Sequence, residues 1–152
     1  MKRLYGYDPA GNRLTFTKTG SPVTQSQYNA VNEITGWTAG TQKAEYTWDD
    51  AGNLFKRKLT TNGTLTREDD YTFDALNRLT RVSVQEGTNP PREVRYGYDP
   101  AGRRMKQVSP DGKVTWFVFD GLSVVMELDA SKEPVITYVP GISKTSANSG
   151  AI

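Results

Sequence analysis

The chain has 152 residues, of which only 36% are hydrophobic, and its 19 Lys and Arg residues nearly balance its 17 Asp and Glu residues, for a net charge of +2. It contains no Cys and no His, which excludes disulfides, thiolate chemistry and the commonest general base and transition-metal ligand. No apolar run is long enough for a membrane span and the charges form no block, so we predict no membrane span, no nucleic-acid partner, no metal or cofactor and no enzyme.

Short strands separated by turn residues follow one another along the chain, without a sustained helical period. The strand segments are predicted at residues 1–7, 13–19, 25–28, 33–38, 43–48, 54–60, 65–73, 78–85, 92–98, 103–109, 113–119, 122–128 and 134–139. We therefore predict an all-β protein, built of antiparallel β-hairpin repeats in a curved, coiling meander of about twelve strands. Residues 1–141 form the repeat region, with about six repeats, and residues 142–152 are predicted to be a flexible tail.

A repeat of about 20–25 residues organises these strands. Aromatic residues stand one and three positions before an anchor residue, Asp or Asn, and a turn follows the anchor. Residues two apart lie on one face of a strand, so the rings are predicted to share a face of the sheet. The anchors are Asp8, Asn29, Asp49, Asp74, Asp99 and, in a partial copy, Asp120. The aromatic positions are Tyr5, Tyr7, Tyr28, Tyr46, Trp48, Tyr71, Phe73, Tyr96, Tyr98, Phe117 and Phe119.

Two sequence variants of the turn alternate along the chain. One has Gly three residues after the anchor, and the other has Asn there; both residues tolerate the positive φ that closes a type I turn into a hairpin. We expect the β-bulge after the turn to differ between the two sequence variants. The Gly positions are Gly11, Gly52 and Gly102, and the Asn positions are Asn32 and Asn77. The pair Asn62-Gly63 predicts a separate type I′ turn.

The motif Tyr-x-aromatic-Asp-x-x-Gly-Asn-Arg-Leu, found with small variations at residues 5–14, 46–54 and 96–105, resembles the YD repeat of Rhs proteins. Residues 71–79 resemble an alternative sequence variant of the same repeat, and residues 117–141 resemble the last repeats before the Rhs-associated core. The resemblance implies a piece of an all-β shell that encloses a C-terminal toxin in secreted or cell-surface bacterial proteins such as Rhs and WapA-type polymorphic toxins and Tc toxin C-subunits. The resemblance implies further YD repeats or the enclosed toxin as partners. Because an excised piece of the sheet would leave its edges exposed, we also predict that copies of this chain associate edge to edge.

An alternative reading is an adhesion module that binds carbohydrate or a cell surface. It rests on the 11% aromatic content and on the related shell of animal teneurins, which serves cell adhesion. Aromatic rings can stack on sugars, and Trp37 lies outside the repeat positions. At strict strand spacing, however, aromatic residues more often form the packed face of a sheet, so we favour packing.

Acidic turn motifs raise two further possibilities. Residues 8–11 and 99–102 match the Asp-Pro-x-Gly letters of the sites at which Rhs cores cleave themselves, but both lie inside ordinary repeats, and we interpret them as turns. Residues 49–50 and 69–70 carry oxygen ligands of the kind that Ca²⁺ prefers. Neither pair lies in a recognised binding loop, so we predict no site there.

Overall fold

The computed structural model describes residues 1–139 and the backbone of Thr145–Ser146. Within these residues all regular structure is β-strand. The strands are β1 (Arg3–Tyr7), β2 (Arg13–Lys18), β3 (Thr24–Tyr28), β4 (Ile34–Ala39), β5 (Gln42–Trp48), β6 (Leu54–Thr61), β7 (Thr64–Phe73), β8 (Leu79–Glu86), β9 (Arg92–Tyr98), β10 (Arg104–Val108), β11 (Val114–Asp120), β12 (Ser123–Leu128), β13 (Pro134–Thr137) and β14 (Thr145–Ser146).

The strands form one unclosed antiparallel sheet in chain order, so that each strand pairs with its neighbours in the sequence. The predicted all-β class and hairpin meander are confirmed. Among residues 1–139 and 145–146 the sheet has fourteen strands, against about twelve predicted. The predicted flexible tail, 142–152, lies outside the described residues except for Thr145–Ser146, whose backbone pairs with β13. No helix in the described part of the chain could span a membrane.

The sheet has two chemically different faces. One, the aromatic face, carries the half-buried rings of Tyr46, Trp48, Tyr71, Phe73, Tyr96, Tyr98, Phe117 and Phe119. The other, the charged face, carries Lys56, Lys58, Glu68, Asp70, Arg81, Glu93 and Arg95. Strand alternation produces this division, because successive side chains point to opposite sides. Ala44 is the one fully buried hydrophobic residue in the described segments, as expected for a single sheet without a covering layer.

Both sequence variants of the turn adopt the same backbone conformation. Gly102 and Asn77 have φ of 83° and 57° at the position three residues after their anchors. In all five hairpins with anchors at residues 8, 29, 49, 74 and 99, the bulged residue is the sixth after the anchor, for example Met105 and Thr80. The prediction that the bulge differs is therefore wrong: Gly and Asn adopt the same left-handed conformation and leave the loop length unchanged.

The sixth copy of the repeat is not a turn of this kind. Asp120 is the last residue of β11 and pairs with Ser123 across a two-residue loop, in which Gly121 has φ of 58°. The sequence match placed Asp120 at an anchor. The structure corrects this placement, because a two-residue loop has no room for the five-residue hydrogen-bonded turn that follows the other anchors. Phe117 and Phe119 nevertheless keep their places on the aromatic face.

Candidate functional site

The anchor residue of each repeat organises its turn through four hydrogen bonds, which the turn at Asp99 shows in full. The Asp99 amide donates to the carbonyl of Arg103 at 3.0 Å, and the Gly102 amide donates to the carbonyl of Asp99 at 3.0 Å. The Arg103 amide donates to Asp99 Oδ1 at 2.9 Å, and Arg103 Nε donates to Oδ2 at 2.7 Å. The carboxylate therefore caps its own turn, and its side chain is only 9% exposed.

The same backbone bonds recur at Asp8, Asn29, Asp49 and Asp74, and in each case Oδ1 of the anchor accepts the amide four residues later. A further turn of this kind, between β12 and β13, is anchored by Asp129. Its Oδ1 accepts the Glu133 amide at 3.0 Å, and Lys132 takes the left-handed position with φ of 66°. Sequence reasoning did not count Asp129 as an anchor, because no aromatic pair precedes it and neither Gly nor Asn follows.

Hydrogen bonding lowers the pKa of four anchor carboxylates. For Asp8 the largest cause is the Asn12 side-chain amide, and for Asp49 it is the backbone amide of Asn53. Burial acts to raise the pKa of Asp74 and Asp99, but hydrogen bonds from the backbone and side chain of the residue four positions on outweigh it. The folded turns therefore favour the ionised form.

We expect stability to fall steeply in acid. A carboxylate whose pKa is lowered on folding stabilises the fold above its unfolded pKa, near 4 for Asp, and this contribution is lost as the pH falls through the folded pKa. Urea midpoints should therefore be level between about pH 7 and 5 and should fall below about pH 4. Equilibrium denaturation across this range measures the effect.

The matched control replaces the four anchors Asp8, Asp49, Asp74 and Asp99 by Asn. Asn29 shows that an amide oxygen can cap this turn, since its Oδ1 accepts the amides of Val31 and Glu33 at 3.1 and 2.9 Å. The variant should fold and lose stability less steeply below pH 4. An unchanged slope would show that the anchor carboxylates do not carry the acid sensitivity.

Successive turns are linked along one edge of the sheet by the side chain four residues after the anchor in four of the five repeats; the exception, Glu33, accepts a hydrogen bond from Asn29 in its own turn. Arg78 donates to the carbonyl of Asp99 at 3.0 Å, and its guanidinium lies 5.0 Å from the centroid of the Tyr98 ring. Arg103 repeats the arrangement with the carbonyl of Gly121 at 2.8 Å and the ring of Phe119 at 5.1 Å. One Arg thus caps its own turn, reaches the next turn and covers the next ring.

Where the position holds Asn, the link is a side-chain pair instead. Asn12 Nδ2 donates to Asn32 Oδ1 at 2.8 Å, and Asn53 Nδ2 donates to Asn77 Oδ1 at 3.0 Å. This fourth position after the anchor was absent from the predicted site residues. A sequence signal for it existed, since Asn or Arg stands there in four of the five repeats that carry the full turn.

At three anchors, the polar ring just before the anchor forms a second link, to the preceding hairpin. The Tyr98 hydroxyl donates to the carbonyl of Leu79 at 2.7 Å, and Trp48 Nε1 donates to the carbonyl of Ile34 at 2.7 Å. The Tyr28 hydroxyl likewise reaches the carbonyl of Arg13 at 3.2 Å. In every case the acceptor is the fifth residue after the preceding anchor. The polar groups of these rings therefore hold successive repeats in register.

Replacing Tyr98 by Phe should lower the free energy of unfolding by about 1 kcal/mol, since it removes one hydrogen bond to a backbone carbonyl. Tyr96→Phe is the matched control: its ring lies on the same face, and its hydroxyl makes no hydrogen bond among the described residues. It should change stability little. Urea denaturation compares the two, and equal losses would contradict the proposed register link.

A buried charge cluster lies at the centre of the aromatic face. Asp69 is fully buried on β7 between two guanidinium groups. Arg57 Nε donates to Oδ2 at 2.6 Å, and Arg67 Nε donates to Oδ1 at 2.8 Å. Arg67 also contacts Glu86 at 3.2 Å. Burial raises the pKa of the neighbouring Tyr71 hydroxyl, and the Asp69 charge adds to this effect. Both oxygens of Asp69 are therefore satisfied by cations from the protein itself.

The adjacent acidic pairs at residues 49–50 and 69–70 do not belong to a cluster of carboxylates that could hold a metal ion. In the described segments no three such groups converge. Asp69 and Asp70 point to opposite faces, and Asp70 contacts Lys56 at 2.9 Å. Asp49 caps its turn. The two Asp-Pro-Ala-Gly turns belong to different hairpins, separated by three others along the sheet, and each Asp binds its own turn.

Trp37 lies on the aromatic face of β4, beside an open trough of about 340 Å³ that Phe16 and Tyr46 also line. Its Nε1 donates to the Tyr46 hydroxyl at 3.1 Å, and its indole is half-buried next to the buried Ala44. The Tyr5 ring stacks on Phe16 at 5.2 Å. These rings pack on one another at the start of the sheet.

Comparison with known proteins places these features in a family. The family model of the teneurin YD-shell matches residues 1–123. The chain is 28% identical over 114 residues to the probable deoxyribonuclease RhsB of Dickeya dadantii (strain 3937), which covers 72% of this chain and 7% of that protein. It is 26% identical over 145 residues to the double-stranded DNA deaminase toxin A of Burkholderia cenocepacia (strain H111), covering 90% of this chain and 9% of that protein.

Among solved structures, the complex TcdB2-TccC3 is similar with a TM-score of 0.45 and 11% identity, over 95% of this chain and 9% of that one. The chain thus spans less than a tenth of the length of each of these relatives. The resemblance to YD-repeat proteins is confirmed by the family match, which extends from the first residue through β11. On this evidence, the chain belongs to the teneurin YD-shell family.

Proposed function

We propose that this chain is a wall segment of a larger β-shell, which encloses a C-terminal toxin domain in a longer secreted or cell-surface protein. The segment itself has a structural role and no chemistry of its own. The observation that carries the proposal is the link between successive hairpins: the anchors cap their turns, an Asn or Arg four residues after four of the anchors reaches the next turn, and three polar rings before anchors bind the previous hairpin. Nearly every distinctive side chain has such a structural contact.

An open sheet with one aromatic face suits a wall better than an isolated domain. The rings are only half-buried, and the first strand has one unpaired edge. Sheets of this length leave apolar surface that needs a further layer or contents. Enclosure of a toxin is supported by the named relatives, a probable deoxyribonuclease and a DNA deaminase toxin, of which segments like this one form a small part.

The test uses the complete protein that contains this segment. A domain following the repeats should resist protease while the wall is intact. It should be degraded in an Arg57→Met variant, which loses two donors to the buried Asp69. Lys56→Met, on the opposite face of the same strand, should leave the protection unchanged. Equal protease sensitivity of that domain in all three proteins, or a complete protein without such a domain, would contradict the proposal.

The adhesion alternative has no comparable support in the described residues. The polar groups of Tyr28, Trp37, Trp48 and Tyr98 are engaged in hydrogen bonds within the sheet. Self-association of the free segment remains a prediction, and solution mass across a concentration series measures it.

A further inference from the structure

The same seven residues occur twice in the chain in two different environments. Residues 5–11 and 96–102 both read Tyr-Gly-Tyr-Asp-Pro-Ala-Gly. The second copy lies inside the sheet, on β9 and its turn, and β8 pairs with the four residues of β9 that directly precede it. The first copy lies on β1 and its turn, and among the described strands β1 pairs with β2 alone. The internal copy therefore shows how this sequence behaves when a hairpin is docked against it.

In the docked copy three contacts join the heptapeptide to the preceding hairpin. The Tyr98 hydroxyl donates to the carbonyl of Leu79 at 2.7 Å. Arg78 donates to the carbonyl of Asp99 at 3.0 Å, and its guanidinium covers the Tyr98 ring at 5.0 Å. All three contacts come from the fourth and fifth residues after the anchor Asp74. They would be available from any hairpin with the same turn and an Arg at that position.

In the edge copy the corresponding groups are open. Tyr7 is 59% exposed, and its hydroxyl makes no hydrogen bond within the described chain; Leu4, on the opposite face of β1, is 53% exposed. Tyr28, Trp48 and Tyr98, which hold the same position in other repeats, all donate to a preceding hairpin. Tyr7 is thus the one polar ring at this position, among the described repeats, that lacks its acceptor.

We propose that the β1 edge is a docking site for another hairpin of the same repeat, whose carbonyl five residues after its anchor accepts the Tyr7 hydroxyl and whose Arg four residues after that anchor covers the Tyr7 ring. The inference rests on the proposed wall function and specifies the partner of one wall edge. It continues a ring-to-carbonyl link that recurs three times within the chain, and the amides and carbonyls of β1 that face away from β2 supply the strand pairing.

Charge distinguishes the partner at this edge from β8. On β9, Glu93 binds Arg81 of the preceding hairpin and also Arg95. Lys2 stands at the position of Glu93 in the edge copy, three residues before the first Tyr of the heptapeptide. Arg81 lies directly across from Arg95, whose place Leu4 takes at the edge, and it reaches Glu93 diagonally. An Arg at the same place in a docking hairpin would be repelled by Lys2, whereas a carboxylate there would pair with it. The docking hairpin is therefore one with Asp or Glu seven residues after its anchor.

The test supplies such a hairpin in the same polypeptide. Residues 64–91 are added directly before Met1, and the added copy carries Arg81→Glu. This junction reproduces the native spacing, because Arg92 and Met1 both stand four residues before their heptapeptides. Tyr7→Phe is then made in the extended chain and in the original chain, with Tyr98→Phe in both as the control.

The expected result is that Tyr7→Phe raises the unfolding equilibrium constant roughly fivefold in the extended chain, the value of one hydrogen bond, and leaves it nearly unchanged in the original chain. Tyr98→Phe should act about equally in both. The β1 amides that face away from β2 should also exchange more slowly with solvent in the extended chain. An equal effect of Tyr7→Phe in the two chains, or unchanged exchange, would overturn the proposal. Neither outcome depends on an enclosed domain. The proposed wall function is therefore tested separately, by the protease experiment.

Discussion

Replacing Arg57 by Met is expected to lower the free energy of unfolding by about 3 kcal/mol, because it removes two donors from a buried carboxylate. Asp69 has no exposed surface, and Arg57 contacts its Oδ2 through both Nε and a terminal nitrogen. Arg67 holds only Oδ1 and shares its charge with Glu86. Met keeps the length and apolar stem of Arg, so the loss reports the charge contact. Urea or thermal denaturation measures it.

Two comparisons make the result specific. Lys56→Met removes contacts to Glu68 and Asp70 at 2.7 and 2.9 Å on the charged face, where the partners are partly exposed, and should lower the free energy of unfolding by less than about 1 kcal/mol. Arg57→Met combined with Asp69→Leu should recover part of the loss, since well-packed apolar residues often replace a buried ion pair without penalty. Equal losses for Arg57→Met and Lys56→Met would contradict the assignment.

The sequence could not predict this cluster. Arg57 and Asp69 lie twelve residues apart and meet only because the register of β6 and β7 places them opposite each other. From the sequence we predicted no Ca²⁺ site at residues 69–70, and strand alternation directs the two carboxylates to opposite faces. Buried charge on a mainly aromatic face depends on long-range register, which local patterns do not contain.

The turns, by contrast, are local and were predictable. A two-residue loop with positive φ at both positions favours Asn-Gly, and Asn62 and Gly63 have φ of 52° and 77°. The strand bounds follow because recognisable turn residues, rich in Gly, Asn, Asp and Pro, separate the strands. The position of the bulge, which all five hairpins share, was not predictable, since it depends on pairing across the hairpin. Asp120 was wrongly predicted to be an anchor, because the sequence around it matches the motif while its loop is shorter. The residue four after each anchor was overlooked because its partner lies in the next repeat.

Replacing Gly102 by Val is expected to lower the free energy of unfolding by about 1–3 kcal/mol. Gly102 has φ of +83°, and a side chain there would meet no atom within 4 Å. The loss would therefore arise from backbone strain alone, because a β-branched residue strongly disfavours the left-handed region. The Gly102 amide also closes the turn onto the Asp99 carbonyl at 3.0 Å, so relief of the strain would break the turn. Denaturation midpoints measure the effect.

Two controls separate strain from the general effect of adding a side chain. Gly102→Asn should be nearly neutral, because Asn77 holds the equivalent position with φ of 57°. Gly97→Val adds the same side chain within β9, where its Cβ would lie 3.3 Å from Lys106 Cβ, and Val118 occupies the equivalent position in a neighbouring hairpin. It should therefore be destabilising by less than Gly102→Val. Equal midpoints for the two Val variants would show that the left-handed backbone at Gly102 does not limit the turn.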